Sequence, residues 1–279
     1  MNVHDTMTLQ HLLAQPRSDT LAEAAMWLAR DFEPSVDVDQ YMQRLQFYAE
    51  SISDRLPSKV PVGELLFQLN NYLYNDRCFF ADRSTVSPPE STFLHHVIDK
   101  RHGALLSITL IYLTVGRLLG LPLVAVTFPG RILVKYSDAE GDVVLDPGDG
   151  GMPLQEHDLA LMISRAYGLE RHPHYRLARF LSAADDKMLL VMLLRQLKQA
   201  YMLQGDVQSA LAALENILVL MPGMASSFRE RGYLYELLDC SIAAAEDYSR
   251  YLELMPDAND AELLRKRLPQ LLQHHMTFH

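Results

Sequence analysis

Cysteine is nearly absent from this 279-residue sequence: Cys78 and Cys240 are the two, 162 positions apart and in no CxxC arrangement. That excludes a disulfide framework and leaves no thiolate set for a structural zinc. It suits a reducing cytoplasm, the expected location. Basic charge is also short, with 25 Lys and Arg against 35 Asp and Glu, a formal net charge of −10. No local basic patch offsets it, so neither nucleic acid nor membrane is expected as a partner. Long apolar runs are missing too. The most apolar stretch, Ala104 to Gly116, has 13 residues and is closed by Arg117 and the breaker Gly120-Leu121-Pro122, whereas a bilayer span needs ~20. It reads as a buried helix. The opening segment, MNVHDTMTLQ, has no basic start and meets Asp5 before any apolar run, so no secretory signal is expected.

What is present is ample core material: 49% of the residues are hydrophobic and 22% charged, which describes a folded protein of about two domains. The second domain repeats itself. Leu220-Met221-Pro222 recurs as Leu254-Met255-Pro256, and the same shift of 34 pairs Tyr201 with Tyr235, Ala210 with Ala244, Leu214 with Tyr248, Ile217 with Tyr251 and Leu194 with Phe228. Small Ala210 and Ala244 let two antiparallel helices cross closely while the large residues fill the groove. Gly205 makes the inter-helix turn in the first copy, where the second has Asp239. The segment resembles the tetratricopeptide repeat, with copies at 191–224 and 225–258. Asn259 or Asp260 then caps a last helix carrying Leu263, Leu264, Leu268, Leu271 and Leu272. An ordinary helical hairpin tail is the alternative.

Before residue 180 the periodicity is mixed. Tyr41, Leu45, Tyr48, Ile52 and Leu56 recur at helical spacing after Asp37 and Asp39, as in a capped amphipathic helix. Leu65–Tyr74, Phe93–Ile98 and Leu105–Leu119 read as three more helices. Leu123–Phe128, Ile132–Tyr136 and Val143–Leu145 have strand character, parted by Pro129-Gly130 and by a polar turn at Ser137 to Asp142. Helices followed by an antiparallel sheet make an α+β domain, expected over 1–180, with the all-α tail at 181–279.

That order carries a specific resemblance. Leu73-Tyr74, Phe79, Pro89, Ser91-Thr92-Phe93-Leu94, Val97-Ile98, Arg101, Gly103, Ile111-Tyr112, Arg117, Leu119 to Pro122, Phe128-Pro129-Gly130 and Leu145-Asp146-Pro147 together resemble a bacterial transglutaminase-like family. Its members join a transglutaminase-like, papain-like core to a tetratricopeptide tail, and one branch is named as a Sir-type invasion regulator. The resemblance implies a nucleophile at the start of a buried helix, a His on one strand to activate it, and an Asp on the next strand to orient the His.

Carried onto this sequence, those positions are Ser107, Arg131 and Asp146. The family itself often has Ser or Thr at the first. At the second it has Pro-Gly-His where this chain reads Pro129-Gly130-Arg131. A guanidinium stays charged and accepts no proton at neutral pH, so no catalytic residues are expected. Arg131 is expected to form a charge-assisted pair with Asp146, the alternative being a solvated surface pair. Leu105 stands where the family commonly has Pro, and Cys78 where it has Gly. Cys78 is expected to be buried or inert.

No metal and no cofactor are expected. His172 and His174 have HxH spacing but no further ligand nearby, and Pro173 marks a loop. His95 and His96, as neighbours on a helix, should diverge by ~100°, which leaves His95 and His102 as the aligned pair. His102 also abuts the nucleophile helix and is the one conceivable substitute base. Two functions follow: a catalytically degenerate protein-binding or regulatory module, or an acyl-transferase or peptide hydrolase using Ser107 with an unconventional base. For the first, helical spacing puts Arg195, Lys198, Met202, Arg229 and Tyr233 on the groove of the repeats, a mostly basic set suited to an acidic or C-terminal-carboxylate peptide.

Overall fold

A computed structural model describes residue 9 and residues 11–14, 17–82, 87–138, 141–168 and 177–276, with side chains to 273. The chain divides into two compact units, one of Thr8–Leu193 and another that includes Leu194–His279. The division falls inside a helix, beyond the composition break at 180/181. Among the described residues no helix is long and apolar enough to cross a membrane.

The first unit opens with α1 (Thr20–Ala29), α2 (Val38–Ser53) and α3 (Val62–Asn70), the last running on into a π-helical turn at Asn71–Asp76. Asp37 caps α2 as its sequence predicts, its carboxylate accepting from the Gln40 N–H at 3.0 Å. The buried face is Leu45, Tyr48, Ala49 and Ile52. Next come β1 (Phe80–Asp82), α4 (Leu94–Lys100), β2 (His102–Ala104) and α5 (Leu105–Leu118). β1 and β2 form a parallel pair absent from the sequence reading. α5 is the apolar run, with eleven of its residues buried.

The remaining strands, β3 (Val124–Phe128), β4 (Arg131–Ser137), β5 (Asp142–Asp146) and β6 (Met152–Leu154), form one antiparallel sheet in chain order. In the middle of the sheet Ile132, Leu133 and Val134 are all buried, because α5 contacts β4 and α6 (Glu156–Ala166) covers the sheet with Leu159 and Ile163. A strand covered on both faces loses the polar half of its alternation. The outer side of β3 is met midway by the incoming chain, where Val126 bridges Ala183 and the Ala184 N–H donates to the Ala125 carbonyl at 2.8 Å, which interrupts the free edge there.

Five helices make up the tail: α7 (Asp186–Gln204), α8 (Val207–Leu220), α9 (Ala225–Leu237), α10 (Ser241–Leu254) and α11 (Ala261–Met276). Ala210 and Ala244 are both fully buried, as the crossing of paired helices requires. On α11, Leu264 and Leu271 are buried and Leu268 packs beside them, while Leu263 and Leu272 face outward at 68% and 51% exposure. The two inter-helix turns have the same backbone: Gly205 has φ +77° and Asp239, one period later, φ +58°. An L-residue pays for a left-handed conformation by about 1 kcal/mol or somewhat less for Asp. Asp239→Gly should therefore raise stability by about 0.5–1 kcal/mol, measured as a higher urea midpoint; an unchanged or lower midpoint would contradict it.

Candidate functional site

The three positions of the expected triad lie on elements that the fold brings to one end of the sheet. Ser107 sits in the first turn of α5. It is fully buried, and its hydroxyl donates to the Thr92 carbonyl at 2.6 Å. Arg131 opens β4 and Asp146 closes β5. In the observed register Val134 faces Leu145, so Asp146 is diagonal to Arg131 on the same face, within reach of a long side chain. The Arg131 Nη1 donates to the Asp146 Oδ2. Asp146 is 1% exposed, and its other oxygen accepts from the Gly148 N–H at 2.9 Å. Both carboxylate oxygens are therefore engaged, one by a backbone amide and the other by the guanidinium.

The loop after Asp146 is fastened to the helices. Tyr74 O–H donates to the Pro147 carbonyl at 2.8 Å. Asn70 donates through Nδ2 to the Gly151 carbonyl at 2.9 Å and accepts through Oδ1 from Tyr112 O–H at 2.8 Å. Gly148 lies so close to α5 that a Cβ there would meet Leu105 Cδ1 at 2.7 Å. Leu105 thus fills, at the first position of α5, the space over which the loop closes. Burial holds the Tyr74 phenol well above its ordinary range, with further upward pressure from Tyr112 and Asp146. Tyr74 stays protonated and donates.

His102 does not take up that role either. Helix α4 ends at Lys100, Arg101 turns left-handed at φ +64°, and His102 begins β2. Its Nδ1 lies 3.1 Å from the Lys100 carbonyl and its ring stacks on Phe80, with centroids 5.2 Å apart. The aligned His95/His102 pair expected from helical spacing is therefore not formed, because the helix stops between them. No hydrogen bond among the described residues joins His102 to Ser107. Cys78, expected to be buried or inert, is exposed, with φ +57° and its thiol 3.3 Å from the Asn75 carbonyl. The left-handed backbone explains why Gly suits that position in the resembled family. His172 and His174 lie outside the described residues.

In the tail the five groove candidates separate into two groups. Arg195 donates to Ser226 Oγ at 3.2 Å and Lys198 pairs with Glu230, so both reach from α7 to α9. Arg229 pairs with Asp260, whose carboxylate also accepts from Tyr251 O–H at 2.9 Å. Tyr233, 53% exposed, shares with Arg229, Tyr248, Leu263 and Arg267 the lining of a cavity of about 400 Å³. Met202 on α7 is half-buried. Two of the three cations are thus paired with acids one repeat further along the chain, Glu230 on α9 and Asp260 just before α11, a pairing that helical spacing within one repeat could not reveal. Arg195 has no acidic partner among the described residues.

Comparison with known proteins agrees with this architecture. Residues 39–195 match the model of the transglutaminase-like superfamily, and residues 197–269 that of the tetratricopeptide repeat. A UPF0162 protein of Xylella fastidiosa is 29% identical over 93% of this chain and 92% of its own length. The UPF0162 protein of Pseudomonas aeruginosa is 30% identical, covering 90% of each chain. Protein SirB1 of Salmonella typhimurium is 26% identical over 95% of this chain and 96% of its own. A family match across more than half of the sequence, with relatives similar from end to end, places the chain in the transglutaminase-like superfamily, among the UPF0162 proteins that include SirB1.

Proposed function

We propose that this protein is a catalytically degenerate transglutaminase-like protein that works as a protein-binding or regulatory module. The observation that carries the reading is the Arg131 guanidinium bonded to the buried Asp146 carboxylate. A triad aspartate holds an imidazole so that the imidazole can take the nucleophile's proton. Here that carboxylate oxygen is taken by a group that cannot accept a proton, and the Ser107 proton is given to a backbone carbonyl, which is no base. The tetratricopeptide tail supports a partner that is a protein or peptide. Its occupant is acidic or ends in a free carboxylate, a reading that rests on Arg195 and the exposed Tyr233. Two unpaired, exposed cysteines suit action in the cytoplasm, and the net charge of −10 disfavours nucleic acid and anionic membrane.

The test is turnover together with binding. Purified full-length protein should show no amine incorporation into glutaminyl peptides and no peptide hydrolysis above buffer, and Ser107→Ala should change nothing. Turnover abolished by Ser107→Ala would establish the acyl-transferase or hydrolase alternative. A fluorescent acidic peptide with a free C-terminus should bind, with Arg195→Glu weakening it about tenfold (about 1.4 kcal/mol) and added salt doing likewise. Equal binding by both proteins would rule out the acidic-peptide assignment.

A further inference from the structure

A second cluster of reactive side chains lies apart from Arg131 and Asp146. Glu33, in the connection between α1 and α2, reaches two histidines in the first turn of α4. His95 Nε2 lies 2.9 Å from Glu33 Oε2, and His96 Nε2 lies 2.9 Å and 3.0 Å from Oε1 and Oε2. One ligand atom from each of the three falls within 4.8 Å of the others. Neighbours on an ideal helix diverge, yet these two rings approach to 4.3 Å between centroids. Phe93 at 5.5 Å and Tyr41 at 5.7 Å, edge-on, hold the His95 ring. The His95 side chain is 5% exposed, while His96 and Glu33 keep 26% and 32% exposure, so the cluster opens to solvent on one side.

We propose that Glu33, His95 and His96 form a binding site for a single divalent transition-metal ion of the zinc class. Two neutral imidazoles and one carboxylate are a donor set that favours zinc, copper, nickel or iron(II) over magnesium or calcium. Metal–ligand bonds of about 2.0–2.2 Å at tetrahedral angles put ligand atoms about 3.3 Å apart. The two carboxylate-to-imidazole separations of 2.9–3.0 Å require an opening of only a few tenths of an ångström, and the two imidazole ligand atoms lie within 4.8 Å of each other. The next carboxylate, Asp99, is already committed to Arg44 and to Tyr41 O–H at 2.7 Å. The site therefore has three protein ligands, with the fourth position on the exposed side left for water or an outside ligand.

The same geometry limits the affinity. A ligating histidine ordinarily donates its second N–H to an acceptor, and losing such a partner costs 10–100-fold in metal affinity. The His95 Nδ1 is buried without a hydrogen-bond partner. Binding at Nε2 moves the proton to that nitrogen, which places the expected Kd in roughly the micromolar range rather than that of a closed structural zinc site.

Titration of untagged, EDTA-treated full-length protein with Zn²⁺ should give one site per chain in that range, with proton release on binding and no competition from Mg²⁺. Glu33→Gln and His96→Ala should each weaken binding at least tenfold, and His11→Ala, at an exposed position elsewhere, should not. Independently of any variant, Zn²⁺ should protect His96 of the wild-type chain from diethylpyrocarbonate. No binding at 100 times that concentration, affinities unaltered in both variants, or no protection of His96 would overturn the assignment and leave the cluster a hydrogen-bonded strut.

Discussion

Replacing Arg131 with Ala should lower the unfolding free energy by about 2–3 kcal/mol. Removing one partner of a buried ion pair leaves the other charge uncompensated, which costs about 3–5 kcal/mol in closed sites. Arg131 is 39% exposed, so water reaches the vacated space and softens the effect. Asp146, 1% exposed, bears what is left. Arg131→Lys keeps a cation within reach and should cost less than half as much. Arg131→Ala/Asp146→Asn should recover part of the loss, since the amide still accepts from the Gly148 N–H and no longer carries a buried charge. Urea unfolding of the four proteins measures this. A loss below 0.5 kcal/mol in Arg131→Ala, within the range of surface substitutions, would mean that the pair contributes little to holding the sheet end together.

Cutting the chain just before the tail helices should have a still larger effect. A fragment of residues 185–279 contains all five tail helices, yet the first half of α7 belongs to the other compact unit. Leu189, Leu190, Val191 and Leu193, each at most 2% exposed in the whole chain, would be bared. Burying one such side chain is worth about 1.5–3 kcal/mol, so four approach the whole stability of a small domain. Two repeats also fall short of the three or so that usually stand alone. The fragment should melt without a cooperative transition and bind hydrophobic dye. A sharp transition near the melting temperature of the intact protein would show that the tail is an autonomous domain.

The parts of the fold that were legible in the sequence are those with a long, regular period. The 34-residue repeat, the amphipathic α2 and the β3–β4–β5 meander were each marked by spacing, and the positions Ser107, Arg131 and Asp146 by resemblance. The parts that were not legible fail for physical reasons. α1 is buried at eight of its ten residues, so it has no polar face to set a period. β1, β2 and β6 have three residues each, too few for alternation to register. The cluster of Glu33 with His95 and His96 joins positions 62 and 63 residues apart that only the packing of α4 beside α1 brings together. In the tail, the spacing of Lys198 and Arg229 shows two cations but not their partners, because Glu230 lies on the next helix but one and Asp260 in the turn before α11.

The side-chain links of the tail also bear on how the molecule acquires its structure. Arg195 to Ser226, Arg229 to Asp260 and Arg267 to Glu236 each span 31 residues, and Lys198 to Glu230 spans 32. These four bonds therefore close loops of nearly the same, modest length. The bonds that close the site in the first unit reach much further, 81 residues from Asn70 to Gly151 and 73 from Tyr74 to Pro147. Since loop closure costs entropy before the contact returns any stabilisation, helix pairing in the repeats should precede the fastening of that loop to the helices. By the same measure the Arg131–Asp146 pair, 15 residues apart across one hairpin, is a local contact, and the late ones are the bonds that fasten Asn70 and Tyr74 to the loop after it.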